Sequence, residues 1–124
     1  MASIWSEEGK LAAWMEVELA ATAAWAELGM VPPEAAEALA ERAAAPTPER
    51  VAELEATLHH DTAAFVDAAA ELLGPEGRWF HYGLTSSDVV DTGLALQIRE
   101  AGRLLLDGST ARTRPSWRAQ TSTG

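Results

Sequence analysis

Two short stretches hold the side chains best suited to proton and anion chemistry. One is His81-Tyr82-Gly83-Leu84-Thr85-Ser86-Ser87-Asp88, where an imidazole, a glycine and several hydroxyls stand together. Thr85 and Asp88 have the hydroxyl-x-x-acid spacing of a helix start, in which each side chain bonds the other residue's backbone amide. Free N–H groups and the positive end of the helix dipole then face outward, an arrangement suited to a carboxylate or a phosphate. Gly83 lets the backbone approach such a ligand closely. The same box also caps helices that bind nothing, and the residue pattern alone leaves both readings open.

The other stretch is His59-His60-Asp61. Neighbouring side chains on a helix diverge by about 100° around its axis, so these three cannot easily share one metal, and no metal site is expected. Val51, Leu54, Leu58, Phe65, Ala68 and Leu72 follow the three-four spacing of a packed seam, and Asp61 is its one polar interruption. A carboxylate pointing inward there needs a partner, because an unpaired buried charge is costly. His60 or a backbone donor is the natural one.

These residues must be positioned by helices. Ser6 is a good N-cap with Glu7 and Glu8 after it, and Gly29 with Pro32 and Pro33 supplies a stop, which predicts a first helix over 6–29. Its apolar face is Leu11, Trp14, Val17, Ala21, Ala24 and Leu28. A second helix is expected over 33–44, a third over 47–73 with Gly74 and Pro75 as its stop, and a fourth from about residue 87. Val90, Leu94, Gln97, Ile98, Ala101 and Leu105 form the fourth helix's stripe, and Asp107-Gly108 close the pattern. No convincing strand is found, so the fold class is all α.

Bulk properties narrow the possible functions. With 124 residues, 48% of them apolar, the chain suffices for one compact unit. A net charge of -10 argues against a nucleic-acid backbone or an anionic membrane surface as partner. The absence of cysteine excludes disulfides and thiolate metal sites. No membrane span or secretion signal is recognisable, which points to the cytoplasm. Residues 109–124 differ in character from the rest, with three arginines, no acid and no periodicity, and read as an irregular or frame-shifted tail.

Beyond these patterns, a family likeness runs along the chain. The segments Ile4-Trp5-Ser6, Trp14-Met15-Glu16-Val17-Glu18, Ala24-Trp25-Ala26-Glu27-Leu28-Gly29, His60-Asp61-Thr62-Ala63-Ala64-Phe65 and His81-Tyr82-Gly83-Leu84-Thr85-Ser86-Ser87-Asp88-Val89-Val90-Asp91-Thr92 resemble, in order and spacing, the adenylosuccinate lyases of the fumarase and aspartase superfamily. The likeness covers nearly all of residues 1–108, and its last segment is specific to this family within the superfamily.

The resemblance implies a helical amino-terminal lyase domain over 1–86 and the first helix of a long-helix bundle over 87–108. It implies an enzyme of purine and AMP biosynthesis that removes fumarate by β-elimination from adenylosuccinate and from succinyl-aminoimidazole carboxamide ribotide, as a homotetramer without cofactor or metal. Carried over by position, His81, Thr85 and Ser86 match the family's substrate-binding stretch. His60 matches an active-site histidine that supports the general acid, with Asp61 orienting it or satisfying the helix. The family's Arg-Tyr pair near the amino terminus, its general-acid histidine and its serine-bearing loop have no counterpart in this sequence. Catalytic silence of the separate chain is therefore expected. The competing reading is a small helical interaction module that docks through Trp5, Trp14 and Trp25.

Overall fold

A computed structural model describes the backbone of residues 2–113 and the side chains of residues 2–108. Apart from the backbone of 109–113, the tail lies outside the described residues. A short helix, α1 (Ala2–Trp5), precedes α2 (Glu7–Glu27), α3 (Pro33–Arg42), α4 (Pro48–Leu58), α5 (Asp61–Leu73), a 3-10 helix (Gly74–Trp79) and α6 (Ser86–Thr113). No strand occurs among the described residues, so the all-α class stands.

The caps act largely as expected. The Ser6 hydroxyl accepts from the Gly9 amide at the start of α2, and Gly29 (φ +80°) comes just after its end. Thr47 accepts from the Arg50 amide at the start of α4, with Pro48 in the first turn. α6 starts at Ser86 behind the Thr85–Asp88 box, and its backbone continues to Thr113, past the expected close at Gly108.

The expected third helix is two helices. His59 adopts the left-handed conformation (φ +55°) and its amide donates to the Glu55 carbonyl, closing α4. His60 is extended and caps α5. This break changes which residues face inward. Asp61 is exposed, contrary to the inward placement read from the seam, and Thr62 is buried beside it. Leu73 is fully buried where the seam named Leu72, which is 51% exposed. The three-four spacing from Leu58 to Phe65 runs across the break by coincidence, because the two intervening residues reset the helical phase.

α2 is the central helix, with α3, α4 and α6 packed around it. Leu11, Trp14 and Met15 of α2 meet Leu39 of α3, Val51 of α4, Phe65, Ala68 and Leu73 of α5, and Val89 of α6 in one apolar core. Trp14 meets Phe65 edge-on at 5.4 Å between ring centroids, and Phe80 lies against Phe65 at 6.0 Å. The Arg42 guanidinium donates to the Leu73 carbonyl, tying the end of α3 to the end of α5. Of the three tryptophans considered for docking, Trp14 is core, Trp25 is half-buried and Trp5 is exposed.

Of the expected α6 stripe, Gln97 and Ala101 are buried and Val90 is half-buried, but Leu94, Ile98 and Leu105 are exposed, and the face that meets α2 is turned toward Val89 and Gly93. The cause is the bulk of Trp14. A Cβ at Gly93 would lie 2.6 Å from the indole Cδ1, so the helices approach at a residue that has no side chain. A pattern count that weights leucine above glycine misses such a face.

Candidate functional site

The four strongest sequence candidates converge. His60, His81, Thr85 and Ser86 line one cavity of ≈ 340 Å³, together with Thr62, Ala63, Val66, Asp67 and Leu84. One wall is the first turns of α5, the other the loop after the 3-10 helix and the start of α6.

His60 belongs to this wall because it caps α5. Its Nδ1 accepts a hydrogen bond from the Ala63 amide at 3.1 Å, which satisfies one of the free donors of the helix start. Asp61 does not meet the cavity. Its carboxylate accepts from the Thr62 amide at 2.7 Å, so it serves the first turn of α5.

At the opposite wall, Thr85 and Asp88 form the reciprocal box foreseen in the sequence. The Thr85 amide donates to Asp88 Oδ2 at 2.9 Å, and the Asp88 amide donates to Thr85 Oγ1 at 3.3 Å. The amides of Ser86 and Ser87, in the first turn, have no intrahelical acceptor and are available to an anion. Asp67 on the α5 side adds a carboxylate, so an incoming anion must settle toward the α6 end. Gly83 sits in the left-handed region (φ +70°), and a Cβ there would lie 2.6 Å from the Trp25 ring. The close approach expected at this glycine is therefore to an indole.

His81 reaches the cavity from an unusual backbone position (φ +66°). Its Nδ1 lies 2.5 Å from Oε1 of Glu18, a residue with no exposed surface. Burial pushes the Glu18 carboxyl above the ordinary carboxylate value, and the hydrogen bond and charge of His81 oppose that rise. Glu18 Oε2 has no hydrogen-bond partner among the described residues. Sequence reasoning missed Glu18 as a site residue. A signal was present, since Leu11, Trp14, Glu18 and Thr22 fall on one face of α2, which puts a carboxylate in a core register.

A second hollow of ≈ 330 Å³ lies between α1, α2 and α6, lined by Ile4, Ala12, Ala13 and Gln97 among others. Its buried amide is already used, as Gln97 Nε2 donates to the Ile4 carbonyl at 2.8 Å. No group of three metal-ligating side chains is found among the described residues. No described helix is long and apolar enough to cross a membrane.

Comparison with known proteins gives a consistent answer. The chain is 45% identical over 106 residues to adenylosuccinate lyase from Bacillus subtilis, a match that covers 86% of this chain and 24% of that protein. It is 46% identical over 108 residues to adenylosuccinate lyase from Aquifex aeolicus, covering 86% of the chain and 25% of the relative. Among solved structures, a fumarate lyase from Mesorhizobium sp. BNC1 matches with a TM-score of 0.77 and 28% identity, over 84% of this chain and 25% of that one. The 3-carboxy-cis,cis-muconate lactonizing enzyme from Pseudomonas putida matches with a TM-score of 0.73 and 33% identity over the same shares. The chain matches no family model. It spans about a quarter of the length of the curated relatives it matches. In sequence the chain is thus similar to about a quarter of an adenylosuccinate lyase, and in helical fold to the corresponding share of a fumarate lyase.

Proposed function

We propose that this chain supplies one wall of an adenylosuccinate lyase active site, the wall that receives the anionic groups of a succinyl-purine substrate. The observation that carries the reading is the convergence of His60, His81, Thr85 and Ser86, from two separate stretches of sequence, on one cavity. Hydroxyls, helix-start amides and imidazoles are the donors that an elimination needs where carboxylate charge accumulates. His60 supports the acid that protonates the departing nitrogen, and His81, Thr85 and Ser86 hold the substrate. In the whole enzyme the reaction is β-elimination of fumarate from adenylosuccinate and from succinyl-aminoimidazole carboxamide ribotide, in cytoplasmic purine biosynthesis. The exposed Leu94, Ile98 and Leu105 of α6 suit a helix that belongs to a larger bundle, as in a homotetramer.

The test is a heteronuclear NMR titration of the chain with adenylosuccinate and, separately, with fumarate. Shifts confined to His60, His81, Thr85, Ser86 and their neighbours are expected. The double change Thr85→Ala with Ser86→Ala is expected to weaken binding roughly tenfold, the worth of about one hydrogen bond to a charged group. Absence of site-specific shifts at millimolar ligand would overturn the reading. The chain alone is expected to release no fumarate from adenylosuccinate, since the acid and base of the reaction are assigned to residues it does not contain.

A further inference from the structure

We infer that the two histidines of the cavity, when neutral, are held in opposite tautomers, His60 with its proton on Nε2 and His81 with its proton on Nδ1, and that Glu18 is the positioning residue for the second. The cavity then offers one imidazole N–H donor and one imidazole acceptor.

The argument rests on which atoms are already committed. His60 Nδ1 accepts the Ala63 amide proton, and a ring nitrogen that accepts has no proton of its own. The neutral ring therefore carries its proton on Nε2. That choice is imposed by α5, whose first turn needs an acceptor at its cap. At His81 the neighbour is a carboxylate, which accepts and does not donate when ionised, so Nδ1 carries the proton. Nε2 is then the nitrogen left with a lone pair. A carboxylate that orients an imidazole through Nδ1–H is a recurrent device for fixing the tautomer of a working histidine.

The two determinants differ in kind. One is a main-chain amide of the residue three positions on, and the other is a buried side chain distant in sequence. Glu18 has no exposed surface and lies outside the cavity wall, so it acts on a ligand only through His81. A wall with both polarities suits a reaction in which one group yields a proton as another receives one. That use rests on the lyase reading above, whereas the tautomers do not.

Nitrogen-15 spectra of the imidazole rings in the full chain, recorded without ligand at about pH 8, where an ordinary histidine is neutral, decide the matter. His60 is expected to show a protonated Nε2 and a bare Nδ1, and His81 the reverse, while exposed His59 reports the averaged behaviour of a free side chain. In Glu18→Leu, His81 is expected to change to the Nε2–H form. In Glu18→Gln, which keeps the shape, the Nε2–H form is expected to appear beside the other. A wild-type His81 with its proton on Nε2, or a His60 averaged like His59, overturns the tautomer assignment whether or not a variant folds. An unchanged Nδ1–H pattern in both variants overturns the role of Glu18. Because no ligand is present, these outcomes are separate from the success or failure of the substrate titration.

Discussion

Glu18 is the residue on which most of the site's electrostatics turn. Its carboxyl is pushed above 4.5 chiefly by burial. A carboxyl raised in the folded state contributes stability below its unfolded value, and that contribution is lost as pH rises through the folded value. Wild type is therefore expected to gain on Glu18→Gln as pH falls from about 7 to about 4, a comparison that cancels most other carboxylates. Thermal denaturation of both proteins at the two pH values checks it, and a constant or opposite difference would contradict the desolvation account. Much of this site was legible from residue types alone. Imidazoles, hydroxyls and a capping box are local chemistry, and His60, His81, Thr85 and Ser86 converge. The core register of Glu18 was readable but its pairing with His81 was not, because the partner is far away in sequence, and adjacent letters misled at Asp61, whose carboxylate serves Thr62.

At the scale of elements, caps written with serine, threonine, proline and glycine were readable, and the break between α4 and α5 was not. Nothing between Leu58 and Asp61 is a glycine or a proline, and the left-handed turn is made by a histidine. A non-glycine residue there carries a strain of about 1–3 kcal/mol, partly offset in glycine by greater freedom of the unfolded chain. His59→Gly is accordingly expected to stabilise by about 0.5–1 kcal/mol in urea denaturation, with the helix content unchanged. A loss of stability would mean that the imidazole makes contacts worth more than the strain. The two helices are also clamped by Arg50, whose Nε and a terminal nitrogen donate to the two oxygens of Glu71 at 2.9 and 2.6 Å. Both groups are solvent-exposed, so Glu71→Gln is expected to lower Tm only slightly, and by less at high salt.

For the whole molecule, the approach of α6 to α2 is set at Gly93 against Trp14. Gly93→Ala would force α6 away from α2 or displace a ring that also packs on Phe65, an overpacking expected to cost about 1–3 kcal/mol. The opposite side of α6 behaves differently. Ile98 is 57% exposed, and Ile98→Glu is expected to leave unfolding within about 0.5 kcal/mol of wild type while reducing self-association seen by sedimentation. The architecture was recognisable from helix periodicity, and so was the inward turn of Gln97 and Ala101, but not the rotation of α6 toward Gly93, because a glycine–tryptophan contact has no hydrophobic count to reveal it.

The short connection between α4 and α5 also bears on the order in which the molecule assembles. Their contacts are local in sequence and require little loop closure, whereas His81 must find Glu18 across 63 residues. In pulsed hydrogen exchange, amides of the α4–α5 hairpin are expected to gain protection ahead of those flanking His81. The cavity of His60 and His81, about half of whose lining is already present in the hairpin, would then be completed by one of the last contacts to form.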